Sequence, residues 1–148
     1  SASSVLYGDE KDLGVFALAQ VINDLASRGA KAVGASVHIM LPPYAYESRL
    51  KAMVEYVERA GSAHAIQIVC AKAEVSPVIN KAIVYVNGMG VLKKGELLQS
   101  SMGKAGQDIV LLKWIGLEGT FRVMREKEEA VLTQLGLVRS GSYYTMEE

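Results

Sequence analysis

Three places in the chain have residue types at spacings that could handle phosphate or metal. In Val21-Ile22-Asn23-Asp24-Leu25-Ala26-Ser27-Arg28-Gly29-Ala30, two short polar side chains stand side by side in an otherwise apolar helical pattern. Asn and Asp are mediocre interior helix formers because they compete for backbone hydrogen bonds, so something other than propensity keeps them there. Asp24 could be a Mg²⁺ or nucleotide ligand at a subunit edge. It could equally be an exposed turn of an amphipathic helix, or one end of a buried hydrogen bond to the next loop. Lys72 and Glu74 lie two apart near the end of a strand-like run, so they point to one face. They can pair with each other, approach an anionic ligand, or form a solvated strand end. Gly116-Leu117-Glu118-Gly119-Thr120 joins a strand-like run to a helical one. Glycines there would expose backbone N–H groups at a helix start where an anion could sit; the alternative is a tight turn packed over Trp114.

The remaining reactive side chains carry less. His38 and His64 lie in strand-like runs without metal-ligand spacing around them, and a structural role is the expectation for each. Cys70 is the single cysteine, flanked by apolar residues, and reads as a small buried hydrophobe.

The elements that must position these residues follow from hydrophobic periodicity. Leu13, Phe16, Ala17, Val21 and Leu25 recur at three- and four-residue steps from Asp12 to Arg28, and Gly29 supplies a stop. Val33, Ala35, Val37 and Ile39 alternate within Lys31 to Leu41 until Pro42-Pro43 closes a strand. A second amphipathic helix is expected from Glu47 to Ala60, ended by Gly61-Ser62, and strands from His64 to Val75 and Ala82 to Leu92. Asp108 to Trp114 reads as a short strand, Leu117 to Leu135 as a helix, and Ser140 to Glu148 as a frayed or weakly docked tail. The order suggests an α+β fold with helices packed on one face of a mainly antiparallel sheet. The sheet's other face then lacks cover, which a second subunit would supply.

A chain of 148 residues with 16 basic and 16 acidic side chains has a core but no basic excess, which disfavours nucleic-acid binding. No segment approaches the roughly 18 uninterrupted apolar residues of a membrane helix. The lone cysteine suits a reducing cytoplasm. The start, Ser1-Ala2-Ser3-Ser4, has neither an initiator Met nor a signal core, and suggests a tag scar or a chain cut from something longer.

Several stretches together resemble the aminoimidazole ribonucleotide synthetase (AIR synthase)-related superfamily, and within it hydrogenase expression/formation (maturation factor) proteins of the E type. They are Lys11-Asp12-Leu13-Gly14 running into Asn23 to Ala30, Leu41-Pro42, Glu74-Val75 with Asn80, and Gly106 to Thr120. The resemblance implies an AIR synthase N-terminal-like domain over residues 1–103, whose sheet pairs with a second subunit as a dimeric β-barrel. Residues 104–148 would be the truncated start of the C-terminal-like domain plus a polar tail. It also implies ATP and Mg²⁺ in a cleft beside the barrel, with Asp24 at the position of the family's helix Asp, which helps hold the metal and phosphates. Asn23, Glu74, Lys72, Gly116, Gly119 and Thr120 are the other candidate nucleotide-binding residues.

The departures from the pattern weaken that site. The family's upstream glycine-and-aspartate motif is absent, and its Thr-Asp-Pro-like stretch corresponds to Ser3-Ser4-Val5-Leu6. Where the family often reads Gly-Gly-Asp-Thr or Gly-Gly-His-Thr ahead of Glu, this chain reads Cys70-Ala71-Lys72-Ala73-Glu74. An ammonium repels Mg²⁺, and the added side chains hinder close approach of phosphate. Binding of Mg·ATP is expected to be weak or lost, which makes the chain a dimeric scaffold or interaction protein. The rival expectations are an ATP-dependent maturation or biosynthetic enzyme active as a longer or split protein, and an anion-binding module built on the Gly116 to Thr120 turn.

Overall fold

The computed structural model describes residues 1–9, 11–110, 116, 119–120, 123–124, 127–135, 137–140 and 143–146. They fall into two compact units, Ser1–Gly103 and Lys104–Glu148. In the first, β1 (Ala2–Gly8), α1 (Leu13–Ser27), β2 (Lys31–Leu41), α2 (Glu47–Ala63), β3 (Gln67–Val75) and β4 (Ala82–Val91) follow in that order. The second holds helical residues at 119–120 and 123–124, then α3 (Glu128–Leu135) and a hairpin of β5 (Leu137–Ser140) with β6 (Tyr143–Met146).

The four strands of the first unit form one sheet in the order β1-β4-β2-β3. β4 runs antiparallel to both β1 and β2, whereas β2 and β3 are parallel. Two of the three pairings are antiparallel, as expected, and the third is parallel, so the sheet is mixed. The reason lies in α2, which carries the chain back to its starting end before β3 begins, so the two strands run the same way. β1 is a departure from the sequence reading. Ser4, Leu6 and Gly8 of β1 point into the core, but two serines and a glycine give too weak an apolar alternation to announce a strand.

One face of the sheet buries Leu6, Val37, Ile39, Val84 and Val86 against Leu18, Val21 and Leu25 of α1 and Met53 and Val57 of α2. Each such side chain removed from water contributes roughly 1.5–3 kcal/mol, so these two helices and this face form the core. Both helices end in the same way. At α1 the Ala30 N–H donates to Leu25 O and the Gly29 N–H to Ala26 O, with Gly29 at φ 79°. At α2 the Ile66 N–H donates to Gly61 O and the Ala65 N–H to Ser62 O, with Ala65 at φ 54°. These are the paired carbonyl contacts of a left-handed helix stop. Gly61 therefore does not end α2, as its type suggested; it lies inside the last turn. A Cβ there would come 3.0 Å from Ile66 O, so Gly61 serves the close packing of helix end on strand.

The tail also differs from expectation. Instead of fraying, it pairs: Leu137 opposite Met146 through Ser140 opposite Tyr143. Residues 108–110 carry no strand, and the rest of the run expected to be one, 111–114, lies outside the described residues along with Trp114. Among the described residues no helix is long and apolar enough to cross a membrane.

Candidate functional site

α1 presents Leu13, Gly14, Ala17, Leu18, Val21 and Leu25 to the core. Asn23 and Asp24 fall on the opposite arc, and both are exposed. Within the chain Asp24 is thus the exposed turn of an amphipathic helix, not a buried hydrogen-bonding group. Its backbone carbonyl accepts a hydrogen bond from Ser27 Oγ at 2.9 Å.

Lys72 and Glu74 sit on the other side of the sheet. β3 pairs with β2 so that Cys70 lies beside Ser36, Lys72 beside His38 and Glu74 beside Met40, while Ala71 and Ala73 lie beside the core residues Val37 and Ile39. Alternation along a strand then puts Cys70, Lys72 and Glu74 on the face away from the helices. There Lys72 Nζ is 2.7 Å from one Glu74 carboxylate oxygen and His38 Nε2 is 3.2 Å from the other. The Lys72 ammonium, donating to the Glu74 carboxylate, holds it below the ordinary carboxylate range; partial desolvation pushes the other way, and the Lys72 and His38 charges add to the lowering. The i, i+2 spacing foretold the Lys72–Glu74 pair. The part of His38 was missed, because it depends on strand register, which the sequence pattern does not reveal.

A carboxylate whose pKa is lowered on folding contributes stability above its unfolded value of about 4.5. That contribution is lost as pH falls through the lower folded value. The unfolding midpoint of the parent should therefore drop more steeply between about pH 5 and pH 3 than that of Glu74→Gln. Parallel curves in a thermal melt series would show that the cluster contributes nothing.

Two expectations fail here. Cys70 is exposed rather than buried, because β3 is an edge strand and Cys70 faces away from both helices. His64 is not in a strand; it is the exposed residue capping the end of α2, and β3 begins only at Gln67. In the second unit Gly116 adopts φ 77° and the Thr120 N–H donates to Gly116 O at 2.9 Å, so that N–H is already engaged. Gly119 and Thr120 are exposed.

The residues present fit a Mg²⁺ shell poorly. Asp24 and Glu74 stand on opposite sides of the sheet, Glu74 already has the Lys72 ammonium at 2.7 Å and the His38 imidazole at 3.2 Å, and one isolated carboxylate is a weak start for six oxygens. No group of three or more His, Cys, Asp or Glu side chains that could hold a metal ion occurs among the described residues. A cavity of about 120 Å³ beside α2 is walled by Val37, Ile39, Val54, Val57 and Ile68, and Glu58 also lines it. It suits apolar atoms better than phosphate.

An α+β unit with two helices on one face of a four-stranded mixed sheet, its opposite face open, is the architecture of the AIR synthase-related N-terminal domain. The chain belongs to that family: the model of the AIR synthase related protein N-terminal domain matches residues 2–92. A Methanocaldococcus jannaschii protein, named as a hydrogenase expression/formation protein, is 24% identical over 108 residues, covering 73% of this chain and 32% of that one. The hydrogenase maturation protein HypE of E. coli superposes with a TM-score of 0.54 at 21% identity, over 62% of this chain and 31% of the other. A HypE solved in complex with ATP gives 0.55 at 17% identity, over 67% and 33%. The chain thus spans about a third of the length of these relatives.

Proposed function

We propose that this chain acts as a dimeric scaffold or interaction protein, related to hydrogenase maturation factors, in which the Mg·ATP site of its family is degenerate. The observation that carries the reading is the Lys72–Glu74–His38 cluster. The carboxylate expected to face nucleotide and metal is already paired with an ammonium at 2.7 Å and has an imidazole nitrogen 3.2 Å away. A divalent cation placed there would meet that ammonium at close range, which costs more than one carboxylate returns. Residues 1–103 act as the N-terminal-like domain and residues 104–148 as the beginning of the C-terminal-like one.

Dimerisation rests on the open sheet face. Val5, Tyr7, Tyr85 and Met89 are exposed there, and a second sheet would take this apolar surface out of water. A β-barrel built from two such sheets satisfies both copies alike.

A second reading has one specific observation behind it, the likeness of two thirds of the chain to a HypE solved with ATP. In it the protein is an ATP-dependent enzyme, active as a longer or split molecule, with Asp24 as the metal-binding group and Glu74 toward the nucleotide. Isothermal titration with ATP, with and without Mg²⁺, separates the two. Degeneracy predicts no saturable heat at millimolar nucleotide. Metal-dependent micromolar binding that disappears in Asp24→Asn would overturn it in favour of the enzyme. Light scattering should return about twice the 16.0 kDa of one chain; a single-chain mass at micromolar concentration would defeat the dimer.

A further inference from the structure

The helix-facing side of β3 is filled less than the rest of the sheet. Val86 of β4, Val37 of β2 and Ala71 of β3 lie side by side across the strands, and so do Val84, Ile39 and Ala73. The four branched side chains are buried, whereas both alanines stay exposed although they share that face. Alanine ends at Cβ, so the space over β3 beside α2 is left open. This is the cleft of about 120 Å³, with Val54 and Val57 of α2 on one side and Ala71 and Ala73 on the other. Lys72, between the two alanines, turns its ammonium to the opposite face, where Glu74 holds it.

One charged side chain remains at the cleft, and it is unpaired. Of the carboxylates on α2, Glu47 pairs with Lys51 at 2.8 Å and Glu55 with Arg59 at 2.6 Å, each with a cation one turn further on. Glu58 has Val54 one turn before it and Ser62 one turn after it, so the helix sets no cation beside it. Among the described residues it makes no ion pair. Glu58 is exposed, which places its carboxylate at the rim rather than in the depth of the cleft.

We propose that this cleft binds a small primary alkylammonium ion, its head on Glu58 and its hydrocarbon tail along Ala71 and Ala73 beneath Val54 and Val57. The apolar walls and the single carboxylate match the two ends of such an ion. A water-sized group occupies about 30 Å³, so the cleft has room for roughly four of them, the length of a butyl or pentyl tail. Each methylene removed from water favours binding, and the carboxylate adds about a threefold to fivefold preference for a cation at a partly solvated site. With the charge at the rim, the free end of the chain must lie inside. A lysine side chain from another protein cannot meet this condition, because its inner end is joined to backbone. A diamine cannot meet it either, because its second ammonium would be buried without a partner. The cleft lies on the helix side of the sheet, away from Glu74 and from the open face, so it is independent of both dimerisation and nucleotide binding.

The test is a titration of the full chain at fixed pH and ionic strength with n-pentylamine, 1-pentanol and 1,5-diaminopentane, followed by the backbone amide NMR signals of residues 54–58 and 71–73. The amine should saturate with a Kd on the order of millimolar, as suits so few atoms. Pentanol, with the same tail and no charge, should bind about threefold to fivefold more weakly. The diamine should bind at least about tenfold more weakly than the amine. Glu58→Gln should bring the amine down to the level of pentanol and leave pentanol unchanged. Ala71→Ile, which suits a strand and fills the floor, should abolish binding of both. Absence of saturation by the amine, or shifts unaltered in Ala71→Ile, would overturn the site. An amine that binds no better than pentanol, or a diamine that binds as well as the amine, would overturn the assigned ligand. The comparison of the three probes on the parent decides the question even if a variant fails to fold.

Discussion

Met53→Ala should destabilise the first unit by about 2–5 kcal/mol, enough to consume much of the 5–15 kcal/mol that holds a typical domain folded. Met53 is fully buried, with 0% of its surface exposed, and it lies on the core face of α2 one turn before Val57. Truncation removes three heavy atoms from a region packed by Val37, Ile39 and Leu18, and the surrounding helix and sheet can collapse only in part. The effect should be larger than local because α2 is the crossover between the parallel strands β2 and β3. Loosening it releases β3, which is held to the rest of the sheet on one side only. Urea denaturation measures this directly through the transition midpoint at constant slope. Met53→Leu, nearly equal in volume, should stay within about 1.5 kcal/mol of the parent. A loss below about 1 kcal/mol for the alanine variant would mean that α2 is not a core element.

The same crossover explains what could and could not be read from the sequence. β2 was legible to the residue because its alternating Val33, Ala35, Val37 and Ile39 end at Pro42-Pro43, a stop with a mechanical cause. α1 was legible because its apolar steps run into Gly29, whose positive φ the helix stop requires. The direction of β3 was not legible, since alternation is the same for a parallel and an antiparallel strand. Cys70 departs from its expected burial for a related reason. Its apolar neighbours describe a strand, but whether a strand is central or at an edge depends on pairing partners far away in sequence. The candidate site divides along the same line: Lys72 and Glu74 meet because of local spacing, while His38 joins them only through the β2–β3 register. Asp24 was recognised by its helical context and family position. Its exposure follows from the helical arc, which the buried Val21 and Leu25 on either side of it fix.

Gly88→Ala should destabilise the protein by about 1–3 kcal/mol, although alanine restricts the unfolded chain more than glycine and is the better residue by that measure. Gly88 lies on β4 beneath α1. A Cβ at this position would come 2.2 Å from Val21 Cγ1 and 3.5 Å from Leu25 Cδ1. Valine has a single stiff χ1 and cannot swing clear, so the helix itself must lift. Gly88 is paired with Ala2 on one side and Ala35 on the other. Three small residues in a row across three strands form the shallow seat that lets α1 approach so closely. If that close approach is the cause, Val21→Ala should clear the obstruction. Val21→Ala alone loses buried apolar surface and is destabilising, but added to Gly88→Ala it should cost much less than in the parent. The double variant should then be more stable than the sum of the two single effects by on the order of 1 kcal/mol or more, a coupling readable from a denaturant cycle. Simple additivity would mean that the sheet accommodates a methyl group without moving the helix. Val21 is also one turn from Asp24, so a lifted α1 carries the Asp24 carboxylate with it. Under the enzyme reading Gly88→Ala would then impair nucleotide binding and Val21→Ala would restore it, whereas a chain with a degenerate site would register the pair in stability alone.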